Sequence, residues 1–364
     1  MISPLGKEAI MKSLLSKLGK SITGTHIGIV LIISFFYAQS CLANELYVDQ
    51  AGDLLELGVV QDGTDNQIEG ISGSGSAEIS GNNKTVTFNQ TGNTNEVRVW
   101  THGGNQQMSL TQDGNSNIST MDNHGNNNNM SVDIDGNSNI THSEIGNGGD
   151  NDNNMSLTID NGDSNVVYSE ILNGDYNNVD IQIHKQDNNY AYVIVNGNSN
   201  NVKAWQGKHE DGHIDTDETG DNEVYWIVNG DSNSLASYQT DDNGNGGQHI
   251  ANYITGDSNT VKHTQRGSGD HDGFIAIDGD SNDVELSQRG NGSDDQFADI
   301  EIDGDGHTVD VFQRYADHTA NIDITNGGGA YTLDLEQTDN SDRTYSLTGI
   351  CTNGSGCSVS VTQN

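Results

Sequence analysis

The 364-residue chain carries 53 Asp and Glu against 14 Lys and Arg, a formal net charge of −39. This charge argues against nucleic acids and anionic lipids as partners, because both are bound through Lys and Arg. High charge with 31% hydrophobic residues also fits disorder, but the regular repetition described below argues against it.

Residues 1–43 have the features of a secretory signal peptide. Four lysines precede an apolar run at residues 27–38, and small residues follow it. We therefore expect a secreted mature chain, residues 44–364, in which no second apolar run is long enough to span a bilayer. The only proline is Pro4, so the mature chain can form uninterrupted strand ladders.

A repeat dominates the mature chain. Its unit is a Gly, followed by an Asn three residues after the Gly, an apolar residue five residues after it and a Gln nine residues after it. The matches are Gly197, Asn200, Val202, Gln206; Gly230, Asn233, Leu235, Gln239; Gly256, Asn259, Val261, Gln265; and Gly279, Asn282, Val284, Gln288. In the units that end at Gln313 and Gln363, His307 and Cys357 replace the Asn.

Nearer the N-terminus, the Gln stands two residues before the Gly. These units contain Gln61 and Asn66, Gln90 and Asn95, and Gln112 and Asn117. Further along, an Ile takes the place before the Gly, as at Ile134, Ile254, Ile277 and Ile302.

The spacing predicts an all-β protein, a β-solenoid of stacked strand-turn-strand units with roughly 22–25 residues per coil. Gly92, Gly114 and Gly136 are 22 residues apart, and Gly279 and Gly304 are 25 apart. Two strands and two turns fit this length. The wider interval after Gly197 predicts an acidic loop insertion near residues 208–222.

Strand alternation predicts which side chains point inward. Val284, Leu286 and Gln288 share one face, and Ile275 and Ile277 supply the opposite face of the same coil. Stacking then places the repeated Asn and Gln in ladders of buried side-chain amides, which satisfy each other. All the Asn and Gln named above are candidate ladder and assembly residues.

The pattern Gln-x-Gly-x-x-Asn-x-Ala-x-x-x-Gln resembles the repeat of the curlin family, the subunits of curli fibres. The resemblance covers most of residues 48–364, but Val, Ile, Leu or Ser often replace the Ala, and the chain is longer. It implies stacked β-arches, Gram-negative export through the curli-type outer-membrane secretion pore, a nucleator subunit as partner, and self-polymerisation into a functional amyloid for biofilm and adhesion. The chain could be a major subunit, a nucleator or an accessory protein.

Two alternatives remain beside the fibre subunit. A monomeric solenoid adhesin could use Trp100, Trp205 and Phe312, which fall on the outward parity of their strands, to contact a surface or glycan. A capped last coil would favour it, and the loop between Cys351 and Cys357 is a candidate cap. A polysaccharide-cleaving β-helix is the enzyme alternative, although paired carboxylates are unavoidable among 53 acids. We therefore expect no catalytic site.

No ordered metal or cofactor site is predicted. Asp-rich turns such as residues 278–280 and 303–305 could attract Ca²⁺ diffusely, but the nine-residue period of calcium-binding β-rolls is missing. The histidines are scattered along the chain. In an oxidising compartment, Cys351 and Cys357 are expected to form a disulfide rather than half of a metal site.

Overall fold

The computed structural model describes residues 32–35, 45–46, 48–50, 55–70, 77–146, 151–207, 222–240, 247–290, 294–325, 329–349 and 356–364. Within these ranges the protein is all-β. None of these residues belongs to a helix long and apolar enough to cross a membrane.

The strands follow one another with short turns between most of them. In chain order they are β1 (Ile32–Phe35), β2 (Glu45–Leu46), β3 (Val48–Gln50), β4 (Leu55–Thr64), β5 (Gln67–Gly70), β6 (Ala77–Ile79), β7 (Lys84–Asn93), β8 (Glu96–Thr101), β9 (Gln107–Asp113), β10 (Ile118–Asn123), β11 (Asn129–Asp135), β12 (Ile140–Ile145), β13 (Asn154–Asp160), β14 (Val166–Asn173), β15 (Asn178–His184), β16 (Tyr190–Asn196), β17 (Asn201–Gln206), β18 (Glu223–Asn229), β19 (Ser234–Thr240), β20 (Thr260–Arg266), β21 (Asp283–Arg289), β22 (Gln296–Phe297), β23 (Thr308–Arg314), β24 (His318–Asn321), β25 (Tyr331–Gln337), β26 (Arg343–Ser346) and β27 (Cys357–Gln363).

These strands form parallel sheets that run along one axis. Sheet A has 14 strands in the order β1-β4-β7-β9-β11-β13-β15-β17-β19-β20-β21-β23-β25-β27. Sheet B lies opposite and has ten strands, β2, β3, β5, β6, β8, β10, β12, β14, β16 and β18. The short sheet C, β22-β24-β26, occupies the sheet B side of the last coils. Up to β18 the coils add rungs to both sheet A and sheet B, whereas β19, β20 and β21 follow one another in sheet A, and strands reappear on the other side from β22. The predicted β-solenoid is confirmed.

Sheet A pairs equivalent residues of successive coils. Val261 is opposite Val284, and Gln265 is opposite Gln288. Val284, Leu286 and Gln288 are each fully buried, as predicted. A thin core of Val, Ile, Leu and Met side chains fills the space between the sheets.

Every coil has two turns, which we call the first corner (from sheet A to sheet B) and the second corner (from sheet B back to sheet A). Gly114 lies at a first corner with φ +126°, and Gly197 lies at a second corner with φ +127°. A Cβ on Gly197 would lie 2.0 Å from the carbonyl oxygen of Gly230 in the next coil. Only glycine fits a position that combines this conformation with this contact.

The Gly-x-Ser-Asn turn changes corners along the chain. At residues 114–117 it forms a first corner, after β9, whereas at residues 230–233 it forms a second corner, before β19. A Gln two residues before the turn and a Gln nine residues after its Gly therefore both lie near the end of a sheet A strand. The two Gln patterns of the sequence therefore describe the same position in the structure.

The acidic segment 208–221 lies outside the described residues, and Asn222 belongs to the coil. Ile275 and Ile277 are buried as predicted, but residues 274–278 are not a strand, because four of them have positive φ. The strand β1, inside the predicted signal peptide, pairs with β4 at the edge of sheet A.

Candidate functional site

One inward column of sheet A, which we call the Gln column, runs from β4 to β27. Its members are Gln61, Gln90, Gln112, Ile134, Ile159, Ile183, Gln206, Gln239, Gln265, Gln288, Gln313, Gln337 and Gln363. All are buried except Gln363, which is half-buried in the last strand. The structure thus brings every predicted Gln into one column.

The C-terminal part of the Gln column is a continuous amide ladder. From Gln206 to Gln337, each Nε2 donates to the Oε1 of the next Gln, at 2.8–3.1 Å. The N-terminal members donate elsewhere: Gln90 to the carbonyl of Gln67 at 3.1 Å, and Gln112 to Oγ of Ser119 at 2.7 Å. The side-chain amides thus bond to one another in the C-terminal part of the column and to other groups in the N-terminal part.

Sequence reasoning missed Gln337. It stands nine residues after Gly328, with Leu333 at the fifth position, but Tyr331 replaces the Asn at the third. The spacing alone could have identified it.

The first corner holds one ladder of asparagines. Its members are Asn66, Asn95, Asn117, Asn139, Asn165, Asn189 and Asn222. Each Oδ1 accepts the backbone N–H of the next member at 2.8–3.0 Å. The ladder includes the predicted Asn66, Asn95 and Asn117, and it continues to Asn222 across the acidic segment.

The second corner holds a separate ladder of the same kind. Its members are Asn128, Asn153, Asn177, Asn200, Asn233, Asn259, Asn282 and His307. His307 fills the Asn position as predicted: its backbone N–H donates to Oδ1 of Asn282 at 2.9 Å, and its Nδ1 accepts the N–H of Tyr331 at 3.0 Å. The Nδ2 groups also donate to glycine carbonyls of the next coil, as Asn233 does to Gly256 at 2.9 Å. These bonds make the burial of the amides tolerable.

The Asp residues of the turns form a third, more exposed series. The backbone N–H of Asp257 donates to Oδ1 of Asp280 at 2.7 Å, and that of Asp280 donates to Oδ1 of Asp305 at 2.8 Å. These carboxylates accept bonds between coils. The Asp side chain at this position therefore has a structural role that does not require Ca²⁺.

Cys357 occupies the Asn position of the last second corner, since it pairs with Tyr331. It is disulfide-bonded. Its predicted partner, Cys351, lies outside the described residues.

A column of contacting aromatic rings, which we call the aromatic column, runs along the outer face of sheet B and continues past β18 on the same side, with stacked rings up to Tyr225 and edge-on contacts beyond it. Its members are His142, Tyr168, Tyr192, Tyr225, Tyr253 and Phe274, with neighbouring ring centroids 4.6, 5.0, 5.0, 5.4 and 5.2 Å apart. Beside it, Ile140, Val166 and Tyr190 are 46%, 36% and 37% exposed. An exposed apolar stripe on so acidic a chain indicates a contact surface.

The aromatic residues singled out from the sequence lie apart from this column. Trp205 and Phe312 are half-buried on the outer face of sheet A, and Trp100 is on sheet B near its N-terminal end. Trp205 packs edge-on against Tyr238 at 5.4 Å, and its Nε1 donates to Asp180 at 3.0 Å. The tyrosines of the aromatic column were missed because each lies in a different coil.

Next to the aromatic column, histidines and carboxylates of three successive coils meet. This His–carboxylate cluster comprises Asp122, His124, His142, Glu144 and Glu170. Burial raises the pKa of Asp122 to about 6, with Glu144 adding to the rise and His124 opposing it. The adjacent imidazole of His142 lowers the pKa of Glu144. This cluster could not be recognised from the sequence, because its three carboxylates are 22 and 26 residues apart.

The fold and these ladders define a β-solenoid repeat protein, an architecture typical of structural and adhesin-like proteins. No protein-family model matches the chain, and no curated protein matches it.

Proposed function

We propose that this protein is an extracellular, curli-like fibre subunit, which polymerises end to end into an amyloid for biofilm matrix and adhesion. The observation that carries the proposal is the C-terminal Gln ladder, which runs in register to β27 at the edge of sheet A. An edge strand offers unpaired backbone groups to another chain.

The two ends of the solenoid are complementary. Cleavage after residue 43 would remove β1 and leave β4, with Gln61, as the first strand of sheet A. A second copy that places β4 against β27 continues the Gln column from Gln363 to Gln61. Addition is head to tail, a contact that generates filaments, and the curlin resemblance supports it.

The backbone of β27 suggests a sharp test of this contact. The N–H of Cys357 donates to the carbonyl of Ala330, and the carbonyl of Gln363 accepts the N–H of Thr338. The odd-numbered residues of β27 therefore bond to β25. The N–H of Ser360 points to the opposite edge of β27, toward an incoming strand. Ser360→Pro removes this donor and keeps the bonds between β27 and β25. Proline is tolerated at such edge positions.

The experiment uses mature protein, residues 44–364, with thioflavin fluorescence and electron microscopy, with and without preformed wild-type seeds. Wild-type monomers should extend the seeds, Ser360→Pro monomers should add and then block further growth, and Ser360→Ala monomers should behave as wild type. Growth of Ser360→Pro at the wild-type rate would exclude β27 as the growing edge. A wild-type protein that stays monomeric with seeds would overturn the fibre proposal.

A second candidate function rests on the aromatic column. A monomeric solenoid adhesin would bind a neutral glycan along this column, because flat sugar rings pack on aromatic side chains and the acidic chain repels anionic polymers. Tyr190 and Tyr192 stay uncharged, since burial raises the pKa of both phenols.

Co-sedimentation with insoluble neutral polysaccharide tests this candidate. Tyr192→Ser with Tyr225→Ser should abolish binding, whereas Tyr176→Ser, a 64% exposed tyrosine outside the column, should not. Equal binding by all variants would exclude the aromatic column as a glycan site.

A further inference from the structure

Three carboxylates lie on successive rungs of one column on the outer face of sheet B. Asp122 is paired with Glu144, and Glu144 with Glu170. Their side chains are only 15%, 25% and 12% exposed. Like charges directly opposite each other across strands are destabilising, and partial burial increases the cost. Such a column requires positive charge.

Two histidines stand against this column. Nε2 of His124 lies 2.9 Å from Oδ1 of Asp122, and Nε2 of His142 lies 3.6 Å from Glu144 and 3.7 Å from Glu170. The residues form two triads, Asp122–His124–Glu144 and His142–Glu144–Glu170, and within each the ligand atoms all lie within 4.8 Å of one another. Ligand atoms that share a metal at about 2.0–2.2 Å lie roughly 3–4 Å apart, so small side-chain movements would close either triad.

Neighbouring groups hold these ligands in place. The ring of Tyr168 stacks on His142 at 4.6 Å, and its hydroxyl donates to Glu170. The rings of Trp100 and His102 lie 6.1 and 5.9 Å from that of His124. Partners that orient metal ligands in this way are a general feature of metal sites.

We propose that the His–carboxylate cluster binds divalent transition-metal ions, with Glu144 as the ligand common to both triads. Imidazole and carboxylate together suit Zn²⁺, Cu²⁺ or Ni²⁺, whereas Ca²⁺ and Mg²⁺ prefer oxygen ligands alone. Each triad draws its ligands from two successive coils, so an ion in either triad cross-links two rungs of sheet B, and ions in both triads link three rungs through Glu144. The site belongs to the single chain and does not depend on fibre formation.

Titration of metal-free mature protein, prepared without a polyhistidine tag, with ZnCl₂ tests the proposal by calorimetry and thermal unfolding. Wild type should bind one or two ions and unfold at a higher temperature when Zn²⁺ is present. Glu144→Gln should weaken binding by at least about tenfold and abolish the thermal shift, and His124→Asn with His142→Asn should do the same. CaCl₂ should neither produce the shift nor displace Zn²⁺.

The matched control is another His–carboxylate pair of the protein. Nδ1 of His249 lies 2.9 Å from Asp272, outside the cluster, so His249→Asn with Asp272→Asn should bind Zn²⁺ as wild type does. Circular dichroism without metal establishes that each variant is folded; if Glu144→Gln does not fold, the double His variant decides. Undiminished binding by folded cluster variants, an equal loss in the control, or displacement by Ca²⁺ would show diffuse attraction to the acidic surface and overturn the proposal.

Discussion

The N-terminal and C-terminal parts of the solenoid use the same turn at opposite corners. Up to Asn117 the Asn ladder lies at the first corner, and from Asn233 onward it lies at the second. The coils between them carry both ladders, and there Ile134, Ile159 and Ile183 occupy the Gln column. The corner opposite the Asn ladder is filled by longer polar side chains such as Gln106 and Gln248. Thus one Asn corner per coil is sufficient, and the register of sheet A persists when the corner changes.

The strongest test of this equivalence is the glycine of each corner. Gly114→Ala and Gly197→Ala should each lower the free energy of unfolding by about 3 kcal/mol or more, because each combines positive φ with a carbonyl within 2.0 Å of the new Cβ. Urea denaturation measures the loss. Gly103→Ala is the control, because there is open space around its new Cβ. If Gly114→Ala or Gly197→Ala leaves the free energy of unfolding unchanged, the two corners are not equivalent.

The corner asparagines should have the next largest effect. Nδ2 of Asn259 donates to the carbonyl of Gly279 at 2.9 Å, and its Oδ1 accepts the N–H of Asn282 at 2.9 Å. Asn259→Ala leaves these groups buried without partners and should cost about 2–3 kcal/mol, as should Asn117→Ala at the other corner. Exposed Asn105→Ala should change stability little in the same measurement. If only one of the two variants loses stability, the Asn ladder stabilises only that half of the solenoid.

The Gln column should distinguish the two halves. Gln265 donates to Gln288 and accepts from Gln239, whereas Gln112 donates to Ser119. Replacing each by Ile, the residue of the middle coils, should cost about 2 kcal/mol at position 265 and about 1 kcal/mol or less at position 112. Denaturant midpoints of the two variants measure the difference. Equal costs would mean that the amide ladder adds nothing beyond burial.

A smaller, pH-dependent effect is expected in the C-terminal part. His263 is fully buried in sheet A, and this burial lowers its pKa to about 3 from a usual value near 6.5. His249 adds to the lowering, while Gln288 and Asp272 oppose it. Between pH 6.5 and about pH 3 the unfolded chain binds a proton at His263, whereas the folded chain does not. The free energy of unfolding therefore decreases as the pH falls below about 6.5.

The loss amounts to about 1 kcal/mol at pH 5.5. His263→Leu should remove it, so the pH dependence of unfolding should be shallower in the variant than in wild type. Identical slopes for the two proteins between pH 7 and pH 5 would contradict a buried neutral His263.

Much of this architecture could be predicted from the sequence, because in a solenoid the local period is also the long-range pairing period. The inward Val284, Leu286 and Gln288 and the Asn role of His307 followed from spacing alone. The change of corner could not be predicted, because the turn tetrapeptide has the same sequence wherever it closes the coil. Only strand pairing places Gln112 and Gln265 in one column.

The surface features were harder to predict for a related reason. The tyrosines of the aromatic column and the ligands of the His–carboxylate cluster are each separated by one coil, and coil lengths vary from 22 to 33 residues between corner asparagines. Without the register, Glu144 has no visible relation to His124 or Glu170. Local sequence motifs indicate the turns and the core, whereas sites on the outer face depend on how the coils are stacked.

The Asn ladder of the first corner continues from Asn189 to Asn222 although 33 residues separate them. The hydrogen bond between coils is therefore indifferent to the amount of chain between its partners, as expected from the slow growth of loop-closure entropy with length. Residues 208–221 thus mark a position where a foreign peptide could replace native chain. In a head-to-tail filament, such a peptide would be displayed once per subunit at a regular spacing, which would make the protein a scaffold for ordered arrays.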